Sequence, residues 1–166
     1  QLTHALEAIT ALPFNQRPAP EQPRLRPAYQ GANPISHVWA SRAIEMIAAD
    51  LVRVFDDPSD DSARGQVLLA ATYAGIGFGN SGVHLAHGMS YPVSGMVRNY
   101  VPEGYPPGHP IVPHGMAVCL NAPAVFRFTA PANPALHLYA AKLMGRDVSK
   151  ARPEEAGEIP RRRHHR

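Results

Sequence analysis

The sequence of 166 residues has a single cysteine, few charged side chains and no long hydrophobic run. Cys119 alone cannot form an internal disulfide, and one cysteine is typical of a reducing compartment, so we expect a cytoplasmic location. All apolar runs are shorter than the roughly 18 residues that a membrane span needs. The first residues also lack the pattern of a signal peptide. We therefore expect no membrane association.

The net positive charge comes from the last six residues, RRRHHR. The formal net charge is +3, and removing the four arginines of that segment leaves −1. A nucleic-acid-binding domain usually spreads positive charge over a folded face. Because the body of this chain is close to neutral, we expect no nucleic-acid partner.

The apolar residues that are present, 45% of the chain, recur mainly at helical spacing. Helices are predicted for residues 2–12, from Asn33-Pro34 to about 55, for about 60–78, within 83–95, from His114 onward and for about 134–144. Two proline-rich loops cover residues 13–34 and 102–113. No segment alternates with the period of a strand. The sequence therefore predicts one all-α domain of five or six helices.

Several of these helices carry more specific expectations. The helix after Asn33-Pro34 should bury one face, which holds Ile44, Ile47, Leu51, Val54 and Phe55. Either Ser59 or Asp57 should cap the next helix. Because that next helix, 60–78, is nearly all small and apolar, we expect it to be central and buried. His137 lies in an amphipathic helix, where partial exposure is expected.

Residues 83–95, VHLAHGMSYPVSG, contain two histidines and a tyrosine at helical spacing. In a helix, His84, His87 and Tyr91 would point in roughly the same direction. This polar edge is compatible with a packed helix, or with a site for a metal or for proton transfer. His4, His87 and His114 each lie at or near a helix start. Each alone is most simply a structural histidine, whereas together they could form a three-histidine metal site.

The glycine run Gly75-x-Gly77-x-Gly79 does not indicate a dinucleotide-binding motif. That motif needs a preceding strand and the N-terminus of a following helix. These glycines instead lie late in an apolar helix, where we expect them to allow close contact between helices.

Four stretches resemble the iron-containing alcohol dehydrogenase family, and specifically its hydroxyacid–oxoacid transhydrogenase branch. They are LTHALEA (2–8), RPAYQGANPIS (26–36), AGIGFGNSGVHLAHGMSYPVSG (74–95) and VPHGMAV (112–118). The resemblance implies that residues 1–150 are part of a dehydroquinate synthase-like helical metal-binding domain, truncated at both ends. Residues 151–166 are expected to be a divergent basic tail without fixed structure.

The resemblance also implies a ligand set for a divalent metal, Fe²⁺ in first place and Zn²⁺ as the alternative. One Asp and three His bind the metal in the family. The histidines here are His4, His87 and His114, and the Asp would directly precede Gln1, so the chain lacks it. His84 is expected to pack or hydrogen-bond beside His87.

Tyr91 is the candidate catalytic residue that the resemblance implies. It stands where many alcohol dehydrogenases of the family carry a second histidine, close to the substrate and the nicotinamide. A phenol is a poor proton relay near neutral pH. The expected role of Tyr91 is therefore to form a hydrogen bond or to orient a reacting group.

The implied activity is that of a metal-dependent, NAD-linked oxidoreductase. Its substrates would be small hydroxyacids and oxoacids: 4-hydroxybutyrate and 2-oxoglutarate would become succinate semialdehyde and 2-hydroxyglutarate. An iron-type alcohol dehydrogenase acting on small alcohols and a noncatalytic helical metal-binding module remain alternatives. NAD would be bound mainly by an N-terminal domain that this chain lacks, so we expect the chain alone to be inactive. Apolar surface left exposed should favour association, including homo-oligomers.

Overall fold

The computed structural model describes residues 1–158, and these residues form six α-helices. The helices are α1 (Leu2–Thr10), α2 (Pro34–Asp56), α3 (Asp61–Ser81), α4 (Leu85–Gly95), α5 (His114–Thr129) and α6 (Pro134–Leu143). Short 3-10 turns cover Phe14–Gln16, Pro23–Leu25, Ala130–Ala132 and Pro153–Glu155. Residues 1–158 contain no strand, so the all-α prediction is confirmed. No helix in this described part is long and apolar enough to cross a membrane.

The main core lies where α1 packs on the hairpin of α2 and α3. Its fully buried side chains are mostly alanines, which let the three helix backbones approach closely: Ala5, Ala8, Ile9, Ala40, Ala43, Ile44 and Ala74. A Cβ atom at Gly77 would lie 3.2 Å from both the backbone nitrogen and the Cβ of Ala40. Close helix contact is therefore confirmed at Gly77. No atom lies within 4 Å of such a Cβ at Gly75 or Gly79, so the prediction is wrong there.

The buried face of α2 differs from the predicted one. Ile44 and Ile47 are buried as predicted, whereas Leu51 is exposed and the side chain of Phe55 is 84% exposed. The buried stripe instead continues through Ser36, Ala40, Ala43 and Asp50. Helix α2 packs on α1 and α3, and Leu51 and Phe55 lie outside the stripe of α2 that is buried.

The prediction that the third helix is buried all round is wrong for this structure. One face of α3 is buried, through Ala63, Ala70, Ala74, Gly77 and Ser81. The opposite face exposes Leu68, Leu69 and Ile76. The helix is nonetheless central in one respect, because it packs on both α1 and α2.

The N-terminus of α3 is capped by Asp60, so the prediction of Ser59 or Asp57 is wrong. The Oδ1 atom of Asp60 accepts a hydrogen bond from the backbone N–H of Ala63 at 2.9 Å. Asp57 instead accepts hydrogen bonds from the backbone N–H and the hydroxyl of Ser59, which tightens the turn between α2 and α3.

The proline-rich connection between α1 and α2 is held at both of its ends. The Leu12 carbonyl accepts from the Ala32 N–H at 3.1 Å, and the Phe14 N–H donates to the Ala32 carbonyl at 3.0 Å. Near the end of α3, the backbone N–H groups of Gln30 and Gly31 donate to carbonyls of that helix. The connection is therefore irregular, as predicted, but it is tied to the helices at both ends.

The turn from α3 to α4 depends on Gly82. Its φ is +87°, in the left-handed region that glycine adopts without strain. A Cβ atom there would lie 2.9 Å from the ring of Tyr29. This tight turn sets where α4 begins and thus where its first histidines lie.

The remaining helices cover the end of α1. Helices α4 and α5 pack as a pair, and α6 contacts both α1 and α2. His137 of α6 is only 6% exposed, so the prediction of partial exposure is wrong. Its ring faces Phe126 of α5, with the ring centroids 6.2 Å apart.

Residues 151–158 belong to the segment that the sequence predicts to be a tail. They contain the 3-10 turn Pro153–Glu155 and contact α5, where Glu158 forms an ion pair with Arg127 at 3.1 Å. The rest of the predicted tail, residues 159–166, lies outside the described residues. The domain boundary at residue 150 stays a prediction.

Candidate metal centre

The three histidines predicted to bind a metal come together from three helices. His4 lies in the first turn of α1, His87 in the first turn of α4, and His114 is the first residue of α5. Each ring offers one nitrogen, and these nitrogens all lie within 4.8 Å of one another. The ring centroids of His87 lie 4.2 Å from His4 and 5.4 Å from His114.

The closest pair of nitrogens has a spacing that fits a shared metal ion. Nε2 of His4 and Nε2 of His87 are 3.1 Å apart. Two imidazole nitrogens bound to one ion at about 2.0–2.1 Å are separated by about 2.9–3.4 Å, depending on the coordination angle. Neutral imidazoles are common ligands of divalent iron and zinc. The donor set and this spacing therefore fit the metal that the resemblance implies.

Burial keeps His4 in the neutral form that a ligand needs. The ring of His4 stacks at an angle on Phe78, with centroids 4.4 Å apart. Burial, and next the neighbouring imidazole of His87, lower the pKa of His4 to about 4. Its Nδ1 is buried and has no hydrogen-bond partner among the described residues. At neutral pH the ring is therefore uncharged.

Glu7 is part of this centre, although the sequence reasoning did not single it out. Its side chain is 0% exposed, and Oε2 contacts Nδ1 of His87. Oε1 accepts from the backbone N–H groups of His84 at 3.0 Å and of Ala86 at 2.9 Å. The available signal was its position three residues after His4, which places both on one side of α1. Glu7 contacts the outer nitrogen of His87, so it is not placed as a fourth ligand.

His84 lies beside the centre but does not point into it. It is the N-cap residue of α4, so the helical spacing that groups it with His87 and Tyr91 does not apply. Its Nε2 instead lies 2.9 Å from the hydroxyl of Thr10. Burial lowers the pKa of His84 below its ordinary value. It packs beside His87 as predicted, through Glu7.

The structure places Tyr91 one turn after His87 on α4, at the surface. Its side chain is 70% exposed, in contrast to the buried ring of His87. The two residues are therefore near each other along the helix, but they differ in exposure.

Comparison with protein families matches residues 28–161 to the family described as "Fe-containing alcohol dehydrogenase family, C-terminal". A "Probable hydroxyacid-oxoacid transhydrogenase, mitochondrial" of Dictyostelium discoideum is 57% identical over 161 residues, which are 96% of this chain and 29% of the relative. The "Hydroxyacid-oxoacid transhydrogenase, mitochondrial" of Xenopus tropicalis is 52% identical over 159 residues, 95% of this chain and 34% of the relative. The chain thus spans about a third of the length of these curated relatives.

Solved structures with the same fold include a 1,3-propanediol oxidoreductase. Its TM-score is 0.73 at 26% identity, covering 95% of this chain and 33% of that one. An alcohol dehydrogenase from Oenococcus oeni also has a TM-score of 0.73, at 20% identity, and covers the same shares. The second similarity shows the fold alone.

Proposed function

This chain belongs to the Fe-containing alcohol dehydrogenase family, as its motifs predict, and on that premise we propose that it acts as the metal-binding helical part of a hydroxyacid–oxoacid transhydrogenase. Curated transhydrogenases are 50–57% identical to it over nearly its whole length. The alcohol dehydrogenase and the propanediol oxidoreductase of known structure are 20–26% identical. This difference favours the transhydrogenase over an alcohol dehydrogenase acting on small alcohols.

The observation that carries the proposal is the meeting of His4, His87 and His114. Family membership implies a divalent metal and NAD-linked chemistry. We propose Fe²⁺ as the metal, with Zn²⁺ as the alternative. When bound, the metal supplies Lewis-acid stabilisation of a substrate oxygen, and NAD supplies hydride exchange between the two substrates. The three imidazoles would hold the ion, with the ring of His87 buried and that of His114 exposed.

The proposed substrates are 4-hydroxybutyrate as the hydride donor and 2-oxoglutarate as the acceptor. NAD would be held mainly outside this chain, which supplies the metal ligands and one wall of the site. Tyr91 would form a hydrogen bond to substrate or cofactor, since its exposed side chain can reach a molecule bound at the surface of α4. For the chain alone we expect no activity.

Two locations compete for the whole protein. The single cysteine predicts the cytoplasm, whereas the names of the transhydrogenase relatives include the word mitochondrial. We extend the mitochondrial location to this protein as the competing proposal. Fractionation of cells that express the tagged full-length protein distinguishes the two.

The first test is metal content after anaerobic loading with Fe²⁺ or Zn²⁺, measured by mass spectrometry. We expect one metal per chain, lost in His87→Ala and in His114→Ala because each variant removes one ligand. His109→Ala, which alters an exposed loop residue, should keep the metal. Unchanged binding in His87→Ala, or no specific metal in a folded chain, would contradict the proposed centre.

The activity test joins this chain to the NAD-binding domain of the Dictyostelium relative. Turnover of 4-hydroxybutyrate and 2-oxoglutarate without added NAD supports the transhydrogenase, because the bound cofactor is reduced and reoxidised in place. Oxidation of small alcohols that depends on added NAD would support the alcohol dehydrogenase instead. Metal binding without any hydride transfer would support the noncatalytic module.

A further inference from the structure

We propose that Glu7 is a positioning residue that fixes the imidazole of His87 with its Nε2 lone pair facing His4. This inference rests on the proposed metal centre, because Nε2 of His87 is the nitrogen that would bind the ion. Glu7 is not one of the three proposed ligands, and its role is to hold one of them in place. Three features of Glu7 support this role: its burial, its contacts with the backbone of α4, and its contact with the His87 ring.

A fully buried carboxylate must be paired. Glu7 of α1 is 0% exposed. An unpaired carboxylate in a protein interior is strongly destabilising, so buried charges are found with hydrogen-bond donors. The donors that satisfy Glu7 are therefore the guide to its role.

Glu7, on α1, caps the N-terminus of α4. The first N–H groups of a helix have no partner within the helix. The N-cap residue His84 provides no side-chain hydrogen bond to them. Oε1 of Glu7 instead accepts from the N–H groups of His84, Ala86 and His87, at 3.0, 2.9 and 3.4 Å. One carboxylate oxygen thus holds the N-terminus of α4 against α1.

The second carboxylate oxygen of Glu7, Oε2, determines which nitrogen of His87 carries the hydrogen. Oε2 of Glu7 contacts Nδ1 of His87. A carboxylate oxygen accepts hydrogen bonds, so Nδ1 is the donor in this contact. The other ring nitrogen, Nε2, then faces Nε2 of His4 at 3.1 Å, with its lone pair when Nδ1 carries the single hydrogen of the ring. Outer partners of metal-bound histidines commonly fix ring orientation and tautomer in this way.

The consequence is that α1 supplies both a ligand and its support. His4 and Glu7 are one turn apart on α1, and together they meet both ends of the His87 ring. The same carboxylate positions the backbone of α4 and the side chain of its key histidine. A shift of α1 would therefore move the two nearest imidazoles together.

Glu7→Gln is the sharpest test because it keeps the shape and reverses one hydrogen bond. The amide oxygen can still accept from the N–H groups of α4, which preserves the cap. The amide nitrogen then faces Nδ1 of His87 and donates to it, so the hydrogen of the ring moves to Nε2. That hydrogen points at His4 and occupies the place of the ion.

Two measurements report the tautomer of His87 and the metal affinity of the chain separately. Proton–nitrogen NMR of the metal-free chain should show His87 with hydrogen on Nδ1 in wild type and on Nε2 in Glu7→Gln. Affinity for Zn²⁺, measured by competition with a chelating dye, should fall about 10- to 100-fold in Glu7→Gln. Glu45→Gln, on the exposed side of α2, is the matched control and should change neither readout.

Two results would overturn the proposal. The first is a wild-type His87 that carries hydrogen on Nε2, which needs no variant and so does not depend on whether Glu7→Gln folds. The second is a folded Glu7→Gln with wild-type Zn²⁺ affinity. A wild-type chain with hydrogen on Nδ1 that binds no Zn²⁺ would overturn the proposed metal function while supporting the positioning by Glu7.

Discussion

At the scale of single residues, His137 is buried, and both of its ring nitrogens contact polar groups. Its Nδ1 lies 2.8 Å from the carbonyl oxygen of Asn133, so this nitrogen donates. Its Nε2 lies 2.9 Å from the hydroxyl oxygen of Thr129, whose hydrogen is donated to the carbonyl of Val125. Burial accordingly lowers the pKa of His137 below its ordinary value.

This burial predicts a pH dependence of stability. In the unfolded chain His137 binds a proton below about pH 6.5, whereas the native residue resists it, so acid favours unfolding. The stabilising contribution is present above that pH and is lost as the pH falls below it. We expect the melting temperature, followed by circular dichroism, to fall less steeply between about pH 7 and pH 5 in His137→Gln than in wild type.

The dependence of the melting temperature on pH should become shallower in His137→Gln but should not vanish. Burial also lowers the pKa values of His4, His37 and His84, and these residues keep their contributions in the variant. His109→Gln removes an exposed loop imidazole and should preserve the wild-type slope. If His137→Gln melts with the wild-type pH dependence, His137 is not the buried neutral residue described.

At the scale of elements, Asn33 joins the proline-rich connection to the start of α2. Its Oδ1 accepts from the backbone N–H of Ser36 at 3.0 Å, which confirms it as the N-cap. Its Nδ2 donates to the carbonyl of Gly31 at 2.9 Å and so also holds the end of the connection. Pro34 follows at the first helical position, where the lack of an N–H costs nothing.

Removing the cap should destabilise the chain measurably. We expect Asn33→Ala to lower the free energy of unfolding by about 1–2 kcal/mol, because the first turn of α2 loses an acceptor. Urea denaturation followed by circular dichroism measures the change. Asn99→Ala, at an exposed position after α4, should stay within about 0.5 kcal/mol of wild type. Equal midpoints for the two variants would contradict the assigned cap.

The elements show which features a sequence can predict. The six helices and the cap at Asn33 depend on residues close in the chain, and both were predictable. The buried faces of α2 and α3 depend on which helices become neighbours, so helical periodicity placed Phe55 wrongly and apolar composition placed Leu68 wrongly. The positioning by Glu7 joins residues 77 to 80 positions apart, so no local pattern reports it. Resemblance to the family predicted the three histidines as ligands, because family motifs mark residues that the whole fold brings together.

At the scale of the whole molecule, much apolar surface is exposed. Exposed large side chains occur on the outer face of α3 and on α5, including Leu68, Ile76, Leu120 and Phe128. Soluble monomers rarely expose contiguous apolar patches beyond a few hundred Å². The described residues also amount to about a third of the length of the curated relatives. Both observations agree with the expectation that the chain associates, which stays a prediction.

The outer face of α3 allows that prediction to be tested without disturbing the core. Leu68 is 72% exposed and Ile76 lies two turns further along the same side, so lysines at both positions should leave the fold intact. We expect the mass of the wild-type chain in light scattering to rise with concentration. The double variant Leu68→Lys, Ile76→Lys should need about tenfold higher concentration to reach the same mass. The reason is that losing about 1.4 kcal/mol of apolar burial weakens association tenfold.

The control for this test is Leu25→Lys, which places the same charge at an exposed leucine of the proline-rich connection. It should associate like wild type if the outer face of α3 is the contact surface. An equal shift in the control would mean that net charge, and not the α3 face, governs association. A wild-type mass that stays at one chain, 18.0 kDa, at every concentration would refute association itself. The exposed leucines would then have to be tolerated by the isolated chain, as scattered apolar residues are in many monomers.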